Sequence, residues 1–327
     1  MSRHRWLMLL MLVLGALALA ACGDDDDDEG GGGGEATTQE EGTGATIQRN
    51  EKNASTTFIV GSKNFTEQKL LGEIYAQALE AAGYTVEKQL NLGDEKTALK
   101  AIETDTINAY PEYTGTALLS HFGFQADELP KDPLKAFEEA KKGYAKKGLT
   151  AFPPTPYTNS NEVAVTQETA DKYGLKKISD LSKVADKLTL YGTPECRQRL
   201  DCLLGLERVY GLKFKKFVPV DPALRHEVLT NGQADVSIVF TTDPQIAREK
   251  FVLLEDDKGM FPPYNTTFVV RDEVVKEAGP DLPRVVEQVD EGLTDEAMQE
   301  LGARVDLDKK TPEEVAGEYL SETGLVQ

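Results

Sequence analysis

Tyr110 and Tyr113 in YPEYTGT, Tyr157 in FPPTPYTNSN and Tyr264 in FPPYN place aromatic rings beside turn-forming residues, at loop ends that could face a cleft. Rings converging there would form a cage for a quaternary ammonium, whose charge is drawn to the ring faces while its methyl groups gain from burial. Catalysis has less material. Of the three histidines, His4 lies in the leader, His121 follows Leu118 and Leu119 on a helix-like stretch, and His226 has no motif around it. There is no GxSxG, HExxH or phosphate-binding Walker loop, and the adjacent Ser62 and Lys63 lack the spacing of a serine and lysine dyad. The expectation is a binding protein without cofactor, metal or catalytic residues.

The elements that would position these rings read as α/β. TFIVG, Thr57 to Gly61, is a buried-strand pattern, and Leu70, Leu71, Ile74, Tyr75, Ala78, Leu79 and Ala82 then recur at helical spacing until Gly83. Asn64 and Glu67 fit a capping box, which would place the GSKNF loop where helix amides point into a cleft. Strands follow near 84–90 and 107–110 around a helix near 95–104, and βαβαβ implies a parallel sheet. A second set of strands is expected near 162–166, 188–191, 217–220 and 236–239, followed by helices near 282–292, 295–304 and 312–323. The segments 152–161 and 261–265, rich in proline and asparagine, read as two crossings between lobes, which gives a cleft closed by a hinge.

The N-terminus supplies an address. Arg3, His4 and Arg5 precede an apolar run from Trp6 to Ala21, too short for a comfortable membrane span and readable as a signal peptide. Leu19, Ala20, Ala21 and Cys22 resemble a bacterial lipobox, which would make Cys22 the lipid-bearing first residue of the mature chain. Five aspartates, Asp24 to Asp28, five glycines, Gly30 to Gly34, and polar residues to about Ser55 have little to bury, so they read as a flexible tether. The expected organisation is a signal peptide at 1–21, an anchored tether at 22–55, lobe 1 at 56–160 and 266–327, and lobe 2 at 161–265.

Charge and cysteines agree with that address. The 56 acidic residues outnumber the 36 basic ones, and loss of Arg3 and Arg5 with the leader takes the net charge from −20 to −22, which argues against nucleic acid as a partner. Cys196 and Cys202 are an even pair within PECRQRLDC. Outside the cytoplasm they most simply form a disulfide; no histidine is near, and two thiolates are too few for zinc.

Six segments carry a more specific signal: GSKNFTEQ, YPEYTGT, ISDL at 178–181, ECRQRLDCLLGLERVYGL, VFTTDPQI and LLEDDKGMFPPYNTTFVVR. In order and spacing they resemble the substrate-binding proteins of ABC transporters for glycine betaine, choline, carnitine and related quaternary amines. The resemblance covers essentially all of 57–327. It implies a type II periplasmic-binding-protein fold, an extracytoplasmic position on the cell membrane, and a permease with its ATPase as partners. It also implies that Lys63, Tyr113 and Thr116 line the cleft from the first lobe, that Arg199 clamps a carboxylate, and that Tyr113, Phe240 and Tyr264 wall the cage.

Two positions depart from the better-known betaine binders. Phe240 stands for a tyrosine and keeps the ring, while Asn161 stands where such proteins usually present another cage tyrosine. An amide offers a hydrogen bond but no π face, so the ligand could be incompletely methylated or carry an extra polar group. Lys63 and Arg199 together would put two positive charges at one end of the cleft, which suits a zwitterion with a carboxylate better than bare choline. The alternatives are a receptor for another small polar solute, such as an amino acid or polyamine, and an extracytoplasmic enzyme on the same scaffold.

Overall fold

The computed structural model describes residues 46–125 and 128–327. The signal peptide, Cys22 and the aspartate and glycine runs lie outside the described residues. The chain builds two five-stranded sheets. In the first, β1 (Thr57–Gly61), β2 (Thr85–Gln89) and β3 (Ala109–Tyr113) are joined by β4 (Leu149–Ala151), and the second holds β5 (Asn161–Val165), β6 (Thr189–Gly192), β7 (Lys216–Pro219), β8 (Val236–Phe240) and β9 (Val252–Leu254). The last strand, β10 (Thr266–Arg271), returns to the first sheet. The strand orders are β2-β1-β3-β10-β4 and β7-β6-β8-β5-β9.

Both sheets are mixed, where the sequence pattern implies a parallel one. β1 runs parallel to β2 and β3, and β6 parallel to β7 and β8, but β10 is antiparallel to β3 and β5 antiparallel to β8. The reversed strands are the two that directly follow a crossing. Thr266 opens β10 opposite Tyr113 at the end of β3, and Asn161 opens β5 opposite Phe240 at the end of β8. A chain arriving from the other sheet enters at the facing edge and can only run away from it. The crossings therefore sit at the carboxyl ends of the parallel strands, where open α/β sheets place their ligand sites.

Helix α1 (Thr66–Ala81) buries Leu70, Leu71, Ile74, Tyr75, Ala78 and Leu79, the stripe that the helical spacing predicts. That stripe packs on Phe58 and Val60 of β1 and on the helices Asp281–Glu291 and Pro312–Glu322. Ala98 and Ile102 of α2 (Glu95–Glu103), with Phe137, Ala140 and Tyr144 of the helix Pro133–Ala145, cover the other face. The second sheet is likewise covered on both sides.

The start of α1 differs from the expected capping box. Phe65 is the N-cap residue and gives no side-chain cap, while Glu67 turns inward and is buried. Order also begins before residue 56. Ile47 joins the core, its amide donates to Leu325 O at 2.8 Å, and Asn50 caps a short 3₁₀ helix at Glu51–Ser55. Gly83, at φ +96°, admits this strap, because a Cβ there would lie 2.5 Å from Asn50 O. One apolar residue and a few backbone bonds suffice to dock a segment that composition alone assigns to the tether.

A buried acid on the helix Asp281–Glu291 makes stability depend on pH. Asp290 is 6% exposed and accepts from Tyr75 Oη at 2.5 Å, and its Oδ2 has no hydrogen-bond partner among the described residues. Burial, only partly offset by the Tyr75 bond, pushes its carboxyl from 3.8 up to about 8. The folded protein thus holds a proton that the unfolded chain releases, so stability is highest below the unfolded value and falls as pH rises toward the folded one. Asp290→Asn is expected to remove this slope and to stabilise the protein by a few kcal/mol at about pH 8, with little gain at about pH 4. Denaturant unfolding at both pH values checks this, and equal slopes in the two proteins would refute it.

Candidate functional site

One cavity between the sheets is lined by Lys63, Tyr113, Thr116, Asn161, Arg199, Phe240 and Tyr264, so all seven residues singled out from the sequence meet there. Lys63 follows β1, Tyr113 ends β3, and Thr116 lies on the turn after it. Asn161 and Phe240 are register partners at the edge of the second sheet, and Tyr264 sits on the returning crossing two residues before β10. Arg199 belongs to the loop closed by the Cys196–Cys202 disulfide, whose Cα atoms are 5.1 Å apart. Tyr110 and Tyr157 are not among the lining residues. Tyr110 is in the core below, and the Tyr157 hydroxyl reaches Glu67.

The lining also includes residues that the sequence reading passed over: Phe65, Glu95, Asn159 and Arg225. Phe65 closes the GSKNF motif, and its ring lies 6.2 Å from that of Tyr113 at an interplanar angle of 18°. Its distance to the Phe240 ring is 5.1 Å. The Lys63 ammonium stands 4.4 Å from the Tyr113 ring centre, and the Arg225 guanidinium 4.3 Å from that of Phe240. Rings from three separate segments thus form one array, already used as a cation-binding surface by the protein itself.

Neither Lys63 nor Arg199 presents an unpaired charge, in contrast to the expected positive end. Lys63 Nζ is bonded to Glu112, whose other oxygen lies 3.3 Å from His121 Nε2. Burial acts to raise the Glu112 carboxyl, but Lys63 and His121 outweigh it and bring the group to about 2. Arg199 Nε donates to Asp201 Oδ1 at 2.8 Å, its Nη2 bonds Asp201 Oδ2, and its Nη1 lies 3.4 Å from Glu95 Oε2. Asp201 also accepts from Tyr264 Oη and, at 3.0 Å, from Asn161 Nδ2. Burial would raise its carboxyl too, yet Arg199 holds it below the usual value.

Arg225 repeats the pattern on the second sheet. Its Nε donates to Asp243 Oδ2 at 3.0 Å and its Nη2 to Oδ1, and Asp243 also lies 2.7 Å from His226 Nε2. The physical reason is common to all three pairs. A buried cation without a carboxylate would cost several kcal/mol, so each arrives with one.

Glu67 joins the two sheets behind the rings. Its Oε1 accepts from Tyr113 Oη at 2.6 Å and Asn159 Nδ2 at 2.8 Å, and its Oε2 from Thr242 Oγ1, just beyond β8, at 2.6 Å. Burial is the largest influence on its carboxyl and raises it despite these donors. Arg199 Nη2 also lies 3.5 Å from Thr116 Oγ1, and Lys96 Nζ lies 3.3 Å from Gln198 Oε1, so further polar contacts join segments attached to the two sheets.

Comparison with known proteins accords with this architecture. Residues 56–322 match the family described as the substrate binding domain of ABC-type glycine betaine transport system. A glycine-betaine-binding protein of Pseudomonas aeruginosa is 33% identical over 281 residues, covering 83% of this chain and 89% of the relative. A carnitine transport binding protein of Listeria monocytogenes is 31% identical, covering 82% and 87% respectively. The ergothioneine transport permease/ergothioneine binding protein of Helicobacter pylori is also 31% identical over 82% of this chain, which spans only 48% of that relative's length. Among solved structures, one titled a glycine betaine/carnitine/choline ABC transporter superposes with a TM-score of 0.65 at 27% identity, over 81% of this chain and 98% of that one. The two mixed sheets are those of the periplasmic-binding-protein fold, and these relatives serve transport, not catalysis. The chain belongs to the family of substrate-binding domains of ABC-type glycine betaine transport systems.

Proposed function

We propose that this protein is an extracytoplasmic receptor, anchored by lipid on Cys22, which captures a quaternary-ammonium zwitterion and hands it to the permease of an ABC importer. The observation that carries the reading is the convergence of Phe65, Tyr113, Phe240 and Tyr264 on one cavity between the two sheets. Glycine betaine, carnitine and ergothioneine, the compounds in the relatives' names, share a trimethylammonium group and a carboxylate. The trimethylammonium would rest on the rings, and Arg199, fixed in orientation by Asp201, would turn its outer N–H groups to the carboxylate.

In this reading 56–160 with 266–327 form one lobe and 161–265 the other, and ligand drives their closure because it touches both. Glu67 and Thr242 serve as a clasp behind the rings. The acids paired with Lys63, Arg199 and Arg225 leave the cleft without a net positive field, so the cationic end of the ligand does most of the selecting. The lipid anchor would keep the receptor near its permease.

Calorimetric titration with glycine betaine, carnitine, choline, proline betaine and N,N,N-trimethylhistidine tests the reading, with binding of at least one expected and silence with all five overturning it. Tyr113→Ala and Tyr264→Ala are each expected to weaken that binding at least about fivefold, corresponding to about 1 kcal/mol for a cation on a ring. Wild-type affinity in both variants would remove the cage. Thr242→Val keeps the side-chain shape but deletes the hydroxyl that bonds Glu67. It should weaken binding about tenfold, the scale of a hydrogen bond to a charged group, and enlarge the small-angle scattering radius of gyration at equal ligand concentration. Unchanged affinity and radius would mean that the clasp is not part of closure.

A further inference from the structure

Two acceptor atoms in the cavity wall are buried and left open by the protein. Glu95, the first residue of α2, is 2% exposed; its Oε2 faces Arg199 Nη1 at 3.4 Å, while its Oε1 has no hydrogen-bond partner among the described residues. Asn159, on the first crossing, is 5% exposed and spends its Nδ2 on Glu67 Oε1, and its Oδ1 is likewise unpartnered. Both residues line the same cavity as the rings. The neighbouring polar groups are engaged within the protein: the hydroxyls of Tyr113 and Tyr264 donate to Glu67 and Asp201, and Asn161 Nδ2 donates to Asp201.

A buried acceptor without a donor carries its full desolvation cost, and a carboxylate oxygen more than an amide. A trimethylammonium group has no N–H, and a carboxylate has none to give. A simple betaine therefore leaves both atoms unpaired. A site built around an unpaired polar group discriminates strongly between a ligand that satisfies it and one that does not.

We infer that the ligand carries, besides its quaternary ammonium and carboxylate, an N–H or O–H donor that Glu95 Oε1 accepts, with Asn159 Oδ1 as the neighbouring acceptor. Glu95 thereby becomes a specificity-determining residue facing the disulfide-closed loop. This rests on the proposed function and narrows its ligand class to donor-bearing betaines.

Two matched pairs isolate the donor in a calorimetric titration: carnitine against γ-butyrobetaine, which lacks only the hydroxyl, and N,N,N-trimethylhistidine against N,N,N-trimethylphenylalanine, which lacks the ring N–H. The donor-bearing member of at least one pair is expected to bind about tenfold more tightly to the wild type. In Glu95→Ala that ratio should fall toward one. Any disturbance of Arg199 in the variant weakens both members of a pair alike, because both carry the same carboxylate, so the ratio reports the donor alone. Ratios near one in both wild-type pairs, or a ratio that survives Glu95→Ala, would overturn the inference. Should Glu95→Ala fail to fold, the wild-type ratios still decide. Binding of glycine betaine but of no donor-bearing compound would overturn the inference and leave the proposed function standing. Failure of every betaine to bind would overturn the proposed function itself.

Discussion

The ion pairs Lys63–Glu112, Arg199–Asp201 and Arg225–Asp243 hold the three cations that line the cavity. Each cation sits against or beside an aromatic ring or a tyrosine hydroxyl, in surroundings that water scarcely reaches, and such a charge can be kept there only with a partner. The partners then do more than neutralise. Asp201 fixes the Arg199 fork, receives the hydroxyl of Tyr264 and holds the amide of Asn161, so one carboxylate orients three cavity-lining side chains. Asp243 does the same for Arg225 and His226, and also accepts the Phe240 amide at 2.7 Å. The protein's own groups thereby fix these orientations, which lowers the entropy that binding must overcome.

The strand directions explain why these groups meet at all. Because β5 and β10 each begin at the edge where β8 and β3 end, Asn161 lies against Phe240 and Thr266 against Tyr113. β1, β3, β6 and β8 end beside the cavity, and the two return strands start there. Loops of modest length can then carry Lys63, Thr116 and Tyr264 into one space. Glu67 uses the same geometry from the helix side, reaching Tyr113, Asn159 and Thr242 across the boundary between the sheets.

Much of the scaffold is readable from local periodicity. The α1 stripe from Leu70 to Leu79 shows its spacing directly, and the strand positions of the second sheet follow their apolar runs. What escapes is whatever depends on distant partners. β3 is buried at all five positions, so no alternation marks Glu112 as the residue that must find a cation, and that cation lies 49 residues away. Glu67 looks like a capping residue because its spacing from Asn64 is right, yet the donors that claim it come from positions 46, 92 and 175 residues away. Arg225 has no motif because its role is set by Asp243 and the ring of Phe240. Phe65 was the accessible miss, since it stands in the same short motif as Lys63. Ile47 shows the opposite error, in which one apolar residue in a polar stretch proves enough to dock it.

In the proposed reading, paired cations leave the cleft without a net positive field, and the methylated cation, not the carboxylate, dominates recognition. The most direct measurement compares glycine betaine with 3,3-dimethylbutyrate, in which carbon replaces the quaternary nitrogen and the shape and carboxylate are kept. Calorimetric titration of the wild-type protein is expected to show the carbon isostere binding at least about tenfold more weakly, the loss of a cation resting on desolvated rings. Equal or tighter binding of the isostere would show that the cleft captures the anion, and would contradict the account.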